Sequence, residues 1–416
     1  MKQLVLILLL LIGWSSVAQK SITLEECYQL VTENYPLAKQ SKLLDAQNKL
    51  DAEVIATSKL PQLSLDAQAT YQSDVIEFPL AMSGIEPLNK DQYRATVSVN
   101  QLIYNGGATE ASLDLKSAQL KTKQKQVEVS LYQLKQQLNQ LYFSVLLAQE
   151  SQLLLKSKKA QLEAKLKEVQ SGIKYGVILP TSDKILEAEL LKISQQFNAL
   201  ESNKATLIET LSSLISQSLH ASTKFQKPFV ETQLQTELVR PELELFQLKK
   251  DEIENSEKLL SKQNAPKLLG FATGGYGNPG LNMLDNSFQG FYTVGVKVNW
   301  NIFDWNANKK QRESLAINKD FIENETEIFK LNTNIALNQQ KKEIDKIESF
   351  ITSDLEIINL RKEVLKSADS QLKNGVITSS AYITELTNLY EDENTLVKHK
   401  IQLQLAKASY NVIKGQ

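Results

Sequence analysis

The sequence predicts a mainly α-helical protein with a smaller β portion, arranged as two duplicated halves. Two pairs of short alternating segments lie within 58–107 and 263–306, and very long polar helical stretches flank each pair. The second pair also repeats the first, so that Ile103 aligns with Ile302, 199 positions later. This period far exceeds the roughly 20–50 residues of a solenoid repeat. We therefore interpret it as a duplication of half the protein.

The alternation in the short segments predicts strands with one apolar and one polar face. In 62–72, Leu63 and Leu65 alternate with Ser64 and Asp66, and the segments 93–105 and 291–304 show the same period of two. The segment 267–276 is rich in glycine and alternates weakly. A tilted strand of about 9–11 residues is long enough to cross a bilayer.

Aromatic residues at both ends of these segments predict two girdles at the membrane interfaces. They are Tyr71, Tyr93, Tyr276 and Tyr292 beside the hairpin loops, and Tyr104, Trp300, Phe303 and Trp305 on the helix side. The alternative is a half-buried sheet that packs on a soluble core. The polar positions include Asp66, Arg94 and Lys297, and no other β-rich segment offers a packing surface. This pattern favours a transmembrane β-barrel portion.

Four strands cannot close a membrane barrel, because the smallest known ones have about eight strands. An open sheet edge in lipid would leave backbone groups without hydrogen bonds. The barrel must therefore be shared between copies, with eight strands from two chains or twelve from three.

Long helices are predicted for most of the remaining chain. The predicted segments are 22–57 with a kink at Pro36, 108–171, 181–217, 241–262, 306–373 and 379–414. At about 1.5 Å per residue, the two longest would each reach roughly 95–100 Å. Helices of this length predict an extended coiled-coil assembly.

The N-terminus predicts export. Lys2, an apolar run from Leu4 to Ile12 and the small residues that end at Ala18 are typical of a secretory signal peptide in 1–18. No later stretch reaches the length of a transmembrane helix. The net charge of −1 gives no support for nucleic-acid binding, and Cys27 is the single cysteine.

The predicted organisation follows from these elements. It comprises the signal peptide 1–18, an N-terminal helix in 19–57, a first transmembrane hairpin in 58–107, a first helical hairpin in 108–217 with its tip near 172–183, an irregular equatorial segment in 218–240, a helix in 241–262, a second transmembrane hairpin in 263–305 and a second helical hairpin in 306–416 with its tip near 373–381.

The chain resembles the TolC-type outer-membrane efflux proteins over nearly its whole mature length. The resemblance rests on the opening SITLEECYQLVTENYP, on the two strand hairpins, and on the twin turns KYGVILPTSD and KNGVITSSAY. It implies a homotrimer with a twelve-strand barrel in the outer-membrane lipid of a Gram-negative bacterium and a long α-helical barrel in the periplasm. It also implies docking to a periplasmic adaptor protein and an inner-membrane pump, with no cofactor.

In this family the glycine-containing turns contact the adaptor. The matching residues here are Lys174, Tyr175, Gly176 and Val177 in the first half, and Asn374, Gly375, Val376 and Ile377 in the second. The family's acidic tunnel mouth would fall at Ala381 and Thr384, which are not acidic. Possible tunnel-mouth acids are instead Asp183, Glu187 and Glu385.

Two other classes of function compete with an export duct. A non-conducting coiled-coil structural protein would explain the helices, but it would not need a polar strand face of the kind that lines a water-filled barrel. An enzyme is disfavoured, because His220 and His399 lack metal-ligand spacing and no nucleophile elbow is present. The resemblance and the strands together favour a passive exit duct for efflux or type I secretion.

Overall fold

The structure is a computed structural model that describes residues 21–76, 87–232 and 237–416. The predicted signal peptide, part of the first predicted hairpin loop and part of the predicted irregular segment lie outside the described residues. The chain divides into two compact units. The helical unit contains the residues up to Lys39, Val127–Leu243 and Ile328–Gln416, and the sheet unit contains Gln40–Gln126 and Glu244–Glu327.

The described elements confirm a mainly helical chain with two strand pairs. In order they are β1 (Ser21–Ile22), α1 (Leu24–Asn34), a 3₁₀ turn (Pro36–Ala38), α2 (Lys39–Thr57), β2 (Gln62–Tyr71), β3 (Asp91–Tyr104), α3 (Ala108–Lys174), α4 (Ser182–Leu214), β4 (Lys224–Phe225), α5 (Pro241–Gln263), β5 (Lys267–Asn278), β6 (Gln289–Asn299), α6 (Ala307–Lys373) and α7 (Ser379–Lys414).

The first predicted helix is interrupted rather than kinked. Thr23 caps α1, because its side chain accepts from the Glu26 backbone N–H and the Glu26 carboxylate accepts from the Thr23 backbone N–H. The helix ends at Asn34, and Pro36 opens the 3₁₀ turn before α2 begins. Proline lacks the backbone donor and clashes with the preceding turn, so one continuous helix cannot form here.

The sheet unit contains one antiparallel sheet with the strand order β2-β3-β5-β6. The two hairpins therefore meet where β3 pairs with β5, with Val97 opposite Gly274. β2 and β6 are the edge strands of this sheet. A β-bulge between Leu102 and Tyr104 inserts Ile103, which returns Tyr104 to the face of Leu268, its partner.

The connection from each hairpin to its long helix repeats the same backbone in different residues. Gly106 and Gly107 have φ values of +68° and +84°, and Trp305 and Asn306, 199 positions later, have φ values of +55° and +61°. The left-handed region suits glycine and strains a residue such as tryptophan. β6 ends at Asn299, before this turn, whereas the sequence predicted a strand over 291–304. The Asp304 carboxylate instead accepts from the side chain of Asn264 and from the backbone N–H of Asn308.

Ion pairs join the helices that flank the sheet. Lys116 of α3 pairs with Asp51 of α2 at 3.2 Å. In the second half, Lys319 of α6 pairs with Glu257 of α5 at 3.1 Å. The helices are polar, and within the described ranges none is both long and apolar enough to cross a membrane.

The helical unit has its own hydrophobic core. Leu138, Tyr142 and Leu146 of α3 pack with Ile208 and Leu211 of α4, and all five are buried. The Tyr142 hydroxyl bonds to the backbone carbonyls of Ile22 and Gln226 at 3.0 and 2.7 Å. It thereby ties the parallel pair of β1 and β4 to the core.

Candidate functional site

Each long hairpin of the helical unit reverses through a glycine turn, and we name these the first tip turn (175–181) and the second tip turn (374–378). Gly176 and Gly375 have φ values of +74° and +69°. In the first turn, the Gly176 N–H donates to Ile173 and the Val177 N–H donates to Gly172. In the second, Gly375 and Val376 make the equivalent bonds to Leu372 and Gln371. Both turns are therefore Schellman caps, which a left-handed glycine permits.

The return helices begin differently. The Thr378 side chain accepts a hydrogen bond from the Ala381 backbone N–H, which satisfies a donor at the start of α7. Thr181 precedes α4 with a left-handed φ of +72° and makes no side-chain cap. The outgoing helices of the two hairpins therefore end in the same Schellman cap, whereas the two return helices have different N-caps.

The tip turns expose apolar side chains. The exposed fraction is 75% for Tyr175 and 71% for Val376, and Val177 and Leu179 are also exposed. Ile178 and Ile377 instead pack on the core between the helices. Of the other predicted contact residues, Lys174 and Asn374 lie where the helices end. Exposed apolar groups beside rigid backbone are typical of protein-binding surfaces.

The two tip turns contact each other. A Cβ atom on Gly375 would lie 2.9 Å from the Val177 carbonyl oxygen, a distance that real Cβ atoms essentially never show. A Cβ atom on Gly176 would meet nothing within 4 Å. The glycine of the second turn is therefore required both by its φ and by close packing, whereas the first is required by φ alone.

The core below the tip turns contains two buried lysines that were not predicted from the sequence. Leu155, Leu162 and Val169 of α3 are fully buried at heptad spacing, and Lys158 and Lys165 occupy the alternate core positions between them. A heptad pattern with lysine at core positions is the sequence signal that could have revealed them.

Each buried lysine has a carboxylate and an aromatic ring as partners. The Lys158 ammonium lies 3.2 Å from Glu189 and 4.8 Å from the ring centroid of Tyr390. The Lys165 ammonium pairs with Asp369 of α6 and lies 5.3 Å from the ring centroid of Tyr382 of α7. Such pairing compensates for the cost of removing a charge from water.

Lys165 and Asp369 belong to a four-membered network between α3 and α6. Lys165 also pairs with Glu168, and Lys373 lies 2.9 Å from Asp369 and 3.4 Å from Glu168. Burial raises the pKa of Asp369, but hydrogen bonds from Lys165 and Lys373 outweigh it and hold that pKa below its ordinary value. The pKa of Lys373 is raised, chiefly because its ammonium donates to Asp369.

The predicted tunnel-mouth acids each have a basic partner within the chain. Lys184 lies 3.6 Å from Asp183 and 2.9 Å from Glu187 at the start of α4. Glu385 of α7 lies 3.6 Å from Arg361 of α6. Glu385 therefore has a different basic partner from the other two acids. Among the described residues, no three His, Cys, Asp or Glu side chains lie close enough together to hold a metal ion.

The register of the sheet unit puts apolar residues of all four strands on one face. Leu65 lies opposite Val97, and Ala272 lies opposite Val294. Leu63, Leu65, Val294 and Val296 are each more than two-thirds exposed in the chain. The described residues leave this apolar face exposed, and exposed apolar faces of this kind mark membrane or protein contact surfaces.

The opposite face carries polar residues, and aromatic rings cover two of its glycines, one in β5 and one in β6. The hydroxyl oxygens of Ser98 and Thr273 lie 3.0 Å apart on this face, within hydrogen-bond distance. The Phe291 ring covers Gly275, and the Phe271 ring covers Gly295, because an added Cβ atom would fall within 3 Å of each ring. Cross-strand rings over glycines restore packing that a glycine lacks.

The predicted interface aromatics lie at the ends of the strands or beyond them. Tyr71 and Tyr104 end β2 and β3, and Trp300, Phe303 and Trp305 follow β6. All eight are at least 45% exposed. They are Tyr71, Tyr93, Tyr104, Tyr276, Tyr292, Trp300, Phe303 and Trp305. Phe288 stacks with Tyr93 and Tyr276, at centroid distances of 6.1 and 5.6 Å.

Comparisons with known proteins agree with this architecture. The model of the family described as outer membrane efflux protein matches residues 28–216. A search of the curated proteins gives no significant match.

Solved structures match over nearly the whole chain. CusC, described with transmembrane channel formation, superposes with a TM-score of 0.67 at 11% identity, covering 94% of this chain and 92% of its own. The Campylobacter jejuni CmeC outer membrane channel gives 0.65 at 16% identity, covering 97% and 89%. The open Neisseria gonorrhoeae MtrE outer membrane channel gives 0.65 at 13% identity, covering 97% and 93%.

The matched family is described as outer membrane efflux proteins, and the CmeC and MtrE structures as outer membrane channels. At these identities the structures show a shared fold. The family match and the shared fold together confirm the predicted resemblance to the outer membrane efflux protein family.

Proposed function

We propose that this chain forms the outer-membrane exit duct of a tripartite efflux system or a type I secretion system. The single observation that carries the proposal is the four-stranded sheet, which has one exposed apolar face, one polar face and two edge strands. Lipid can cover the apolar face, and water can fill the space beside the polar face.

The two edges argue for a shared barrel. β2 and β6 offer ten and eleven residues of backbone at the sheet edges. Unpaired backbone groups are too costly in lipid to remain open, so neighbouring copies must pair with them. Three copies would supply twelve strands, in agreement with the homotrimer implied by the resemblance. The exposed aromatics at the strand ends would then form the two interfacial girdles.

The tip turns are the proposed contact for a periplasmic adaptor, through which an inner-membrane pump would deliver substrate. The exposed side chains of Tyr175, Val177 and Val376 support this role. We propose that the tunnel mouth is lined by Asp183, Glu187 and Glu385. Their ion pairs with Lys184 and Arg361 partly neutralise their negative charge. The protein would lie in the outer membrane of a Gram-negative bacterium, with a large periplasmic portion.

The first test is the state and conductance of the purified protein. We expect a detergent-dependent trimer in outer-membrane fractions that forms pores in planar bilayers. A water-soluble monomer would contradict the proposal. A membrane trimer without conductance would instead favour the non-conducting structural protein.

Two neighbouring substitutions test which face meets lipid. Val294→Lys places a charge on the apolar face, where it costs about 2–4 kcal/mol near the bilayer midplane. Thr293→Lys places the same charge on the polar face, where water can solvate it. We expect V294K to reduce the trimer recovered from outer membranes and T293K to leave it near the wild-type amount. Equal recovery of the two variants would show that the apolar face does not contact lipid.

A further inference from the structure

The polar face of the sheet carries an uneven distribution of charge. Four charged residues of β2, β3, β5 and β6 share this face, and three of them are basic: Arg94, Lys267 and Lys297, against the single acid Asp66. The face therefore has a formal charge of +2 per chain, from three positive charges and one negative charge. The apolar face has Asp91 at the start of β3.

Asp66 and Arg94 offset each other near the loop end of the sheet. Asp66 lies opposite Thr96, so Arg94 is its diagonal neighbour on the adjacent strand. Diagonal side chains across antiparallel strands are about 7–8 Å apart at the backbone and within reach of long side chains. The Arg94 guanidinium also lies 5.7 Å from the ring centroid of Phe291 on the same face.

Lys267 and Lys297 have no such compensation. Lys267 lies opposite Asn299, and Lys297 lies opposite Leu269, so the two lysines are diagonal neighbours at the helix-side end of β5 and β6. Both are exposed, and no ion pair joins either one to a described residue. Their own face of β5 and β6 has no acidic residue.

The nearest acid on that face is remote. Asp66 pairs with Thr96, Thr96 pairs with Gly275, and Gly275 pairs with Phe291. Asp66 and Phe291 therefore lie at the same height on the sheet. Phe291 and Lys297 are six residues apart along β6, which corresponds to about 20 Å at 3.4 Å per residue. This distance is about twice the Debye length of roughly 10 Å at 0.1 M salt, so Asp66 scarcely offsets the charge of the two lysines.

Two acids lie where this end of the sheet joins the helices, and neither forms an ion pair with the two lysines. Asp304 accepts hydrogen bonds from Asn264 and from the Asn308 backbone N–H. Glu110 pairs with Lys59. The ammonium groups of the two diagonal lysines repel each other, and an anion held near both would relieve that repulsion.

We propose that Lys267 and Lys297 form a cationic ring in the lumen that makes the duct prefer anionic solutes. The inference rests on the proposed function, because it requires the polar face to line a water-filled passage. Three copies would place six ammonium groups at one level of the barrel. A ring of basic side chains selects anions, because it raises the local anion concentration and repels cations.

The test is the chloride-to-potassium permeability ratio, measured from reversal potentials of the full-length trimer in planar bilayers under a KCl gradient. Because the proposed tunnel-mouth acids are the same in every variant, the ring is read from the change in the ratio, and we expect a fall of about two-fold or more from the wild type to K267Q/K297Q. K267E/K297E should prefer potassium. The matched control is K224Q/K227Q, which removes two exposed lysines from the segment of β4 in the helical unit and should leave the ratio unchanged.

The outcomes separate this inference from the proposed function. Pores whose permeability ratio is the same in the wild type, K267Q/K297Q and K267E/K297E would overturn the cationic ring and leave the duct intact. A trimer without pores would overturn the duct, and with it the ring. Trimer content on native gels confirms that each variant has assembled before its ratio is compared.

Discussion

The two tip turns have the same Gly-Val-Ile residues and the same Schellman geometry, yet their surroundings differ. The first spans 175–181, between Lys174 and Ser182, and its glycine faces open space. The second spans 374–378, is shorter by two residues, and packs its glycine against Val177 of the first. Duplication thus preserved the local backbone, while packing made the second turn the more constrained.

The largest expected difference between the turns comes from valine at each glycine. Gly176→Val and Gly375→Val both place a β-branched residue at positive φ, which costs roughly 1–2 kcal/mol. G375V also forces its side chain against the Val177 carbonyl, and such overpacking adds about 1–3 kcal/mol. We expect both to impair export while the protein remains trimeric, with the lower midpoint of thermal unfolding for G375V.

Unfolding of the detergent-solubilised trimers, followed by circular dichroism, measures this difference. If the midpoint of thermal unfolding falls equally in the two variants, the contact between the turns does not contribute to stability. Unchanged export in both would remove the tip turns from the transport function.

A smaller difference is expected from the ionic network beneath the second turn. Asp369→Asn removes a carboxylate that accepts from Lys165 and Lys373, and the expected loss near neutral pH is about 1 kcal/mol after solvent screening. The pKa of Asp369 is lower in the folded than in the unfolded chain. Its contribution is therefore present above the unfolded pKa and is lost as the pH falls through the folded pKa.

Hydrogen exchange of the segments around 165–173 and 365–378 measures this pH dependence. The wild type should lose protection on acidification below about pH 4, and D369N should lack that part of the loss. Glu187→Gln, which alters the exposed pair with Lys184 near the first turn, is the matched control. The same acid-induced loss in D369N and the wild type would exclude Asp369 as its source.

Effects of comparable or smaller size are expected at the threonines that precede the return helices. Thr378→Ala removes a side-chain cap of α7 and should destabilise the protein by about 1 kcal/mol. Thr181→Gly relieves the strain of a left-handed threonine, roughly 1–2 kcal/mol, and should stabilise the protein by less than that because glycine is more flexible in the unfolded chain. Urea unfolding of the two variants should shift the midpoint in opposite directions. A shift in the same direction would mean that the N-termini of α4 and α7 are energetically equivalent.

Much of the fold was predictable because its signals are local. The alternation in β2, β3 and β6 predicted both faces of the sheet, and the glycine positions predicted both tip turns. The resemblance to outer-membrane efflux proteins followed from the order and spacing of these same elements. The adaptor-contact role of the residues beside the turn glycines came from the resemblance and stays a prediction.

The errors came from residues whose role depends on neighbours that are distant in the sequence. The last strand ends at Asn299 because its partner strand β5 begins at Lys267, the residue that pairs with Asn299. Lysine is usually exposed, so the sequence alone suggests that Lys158 and Lys165 lie on the surface. Their contacts with Glu189 and Asp369 show that they belong to the core.

The sequence by itself determined the duplicated halves, the long polar helices and the two-faced strands, because each depends on the periodicity of neighbouring side chains. Only the tertiary structure decided that β3 pairs with β5 to join the two hairpins, and that the second glycine turn packs on the first. Those contacts join residues roughly 165–200 positions apart, so their free energy depends on the packing of the folded chain rather than on local conformational preference.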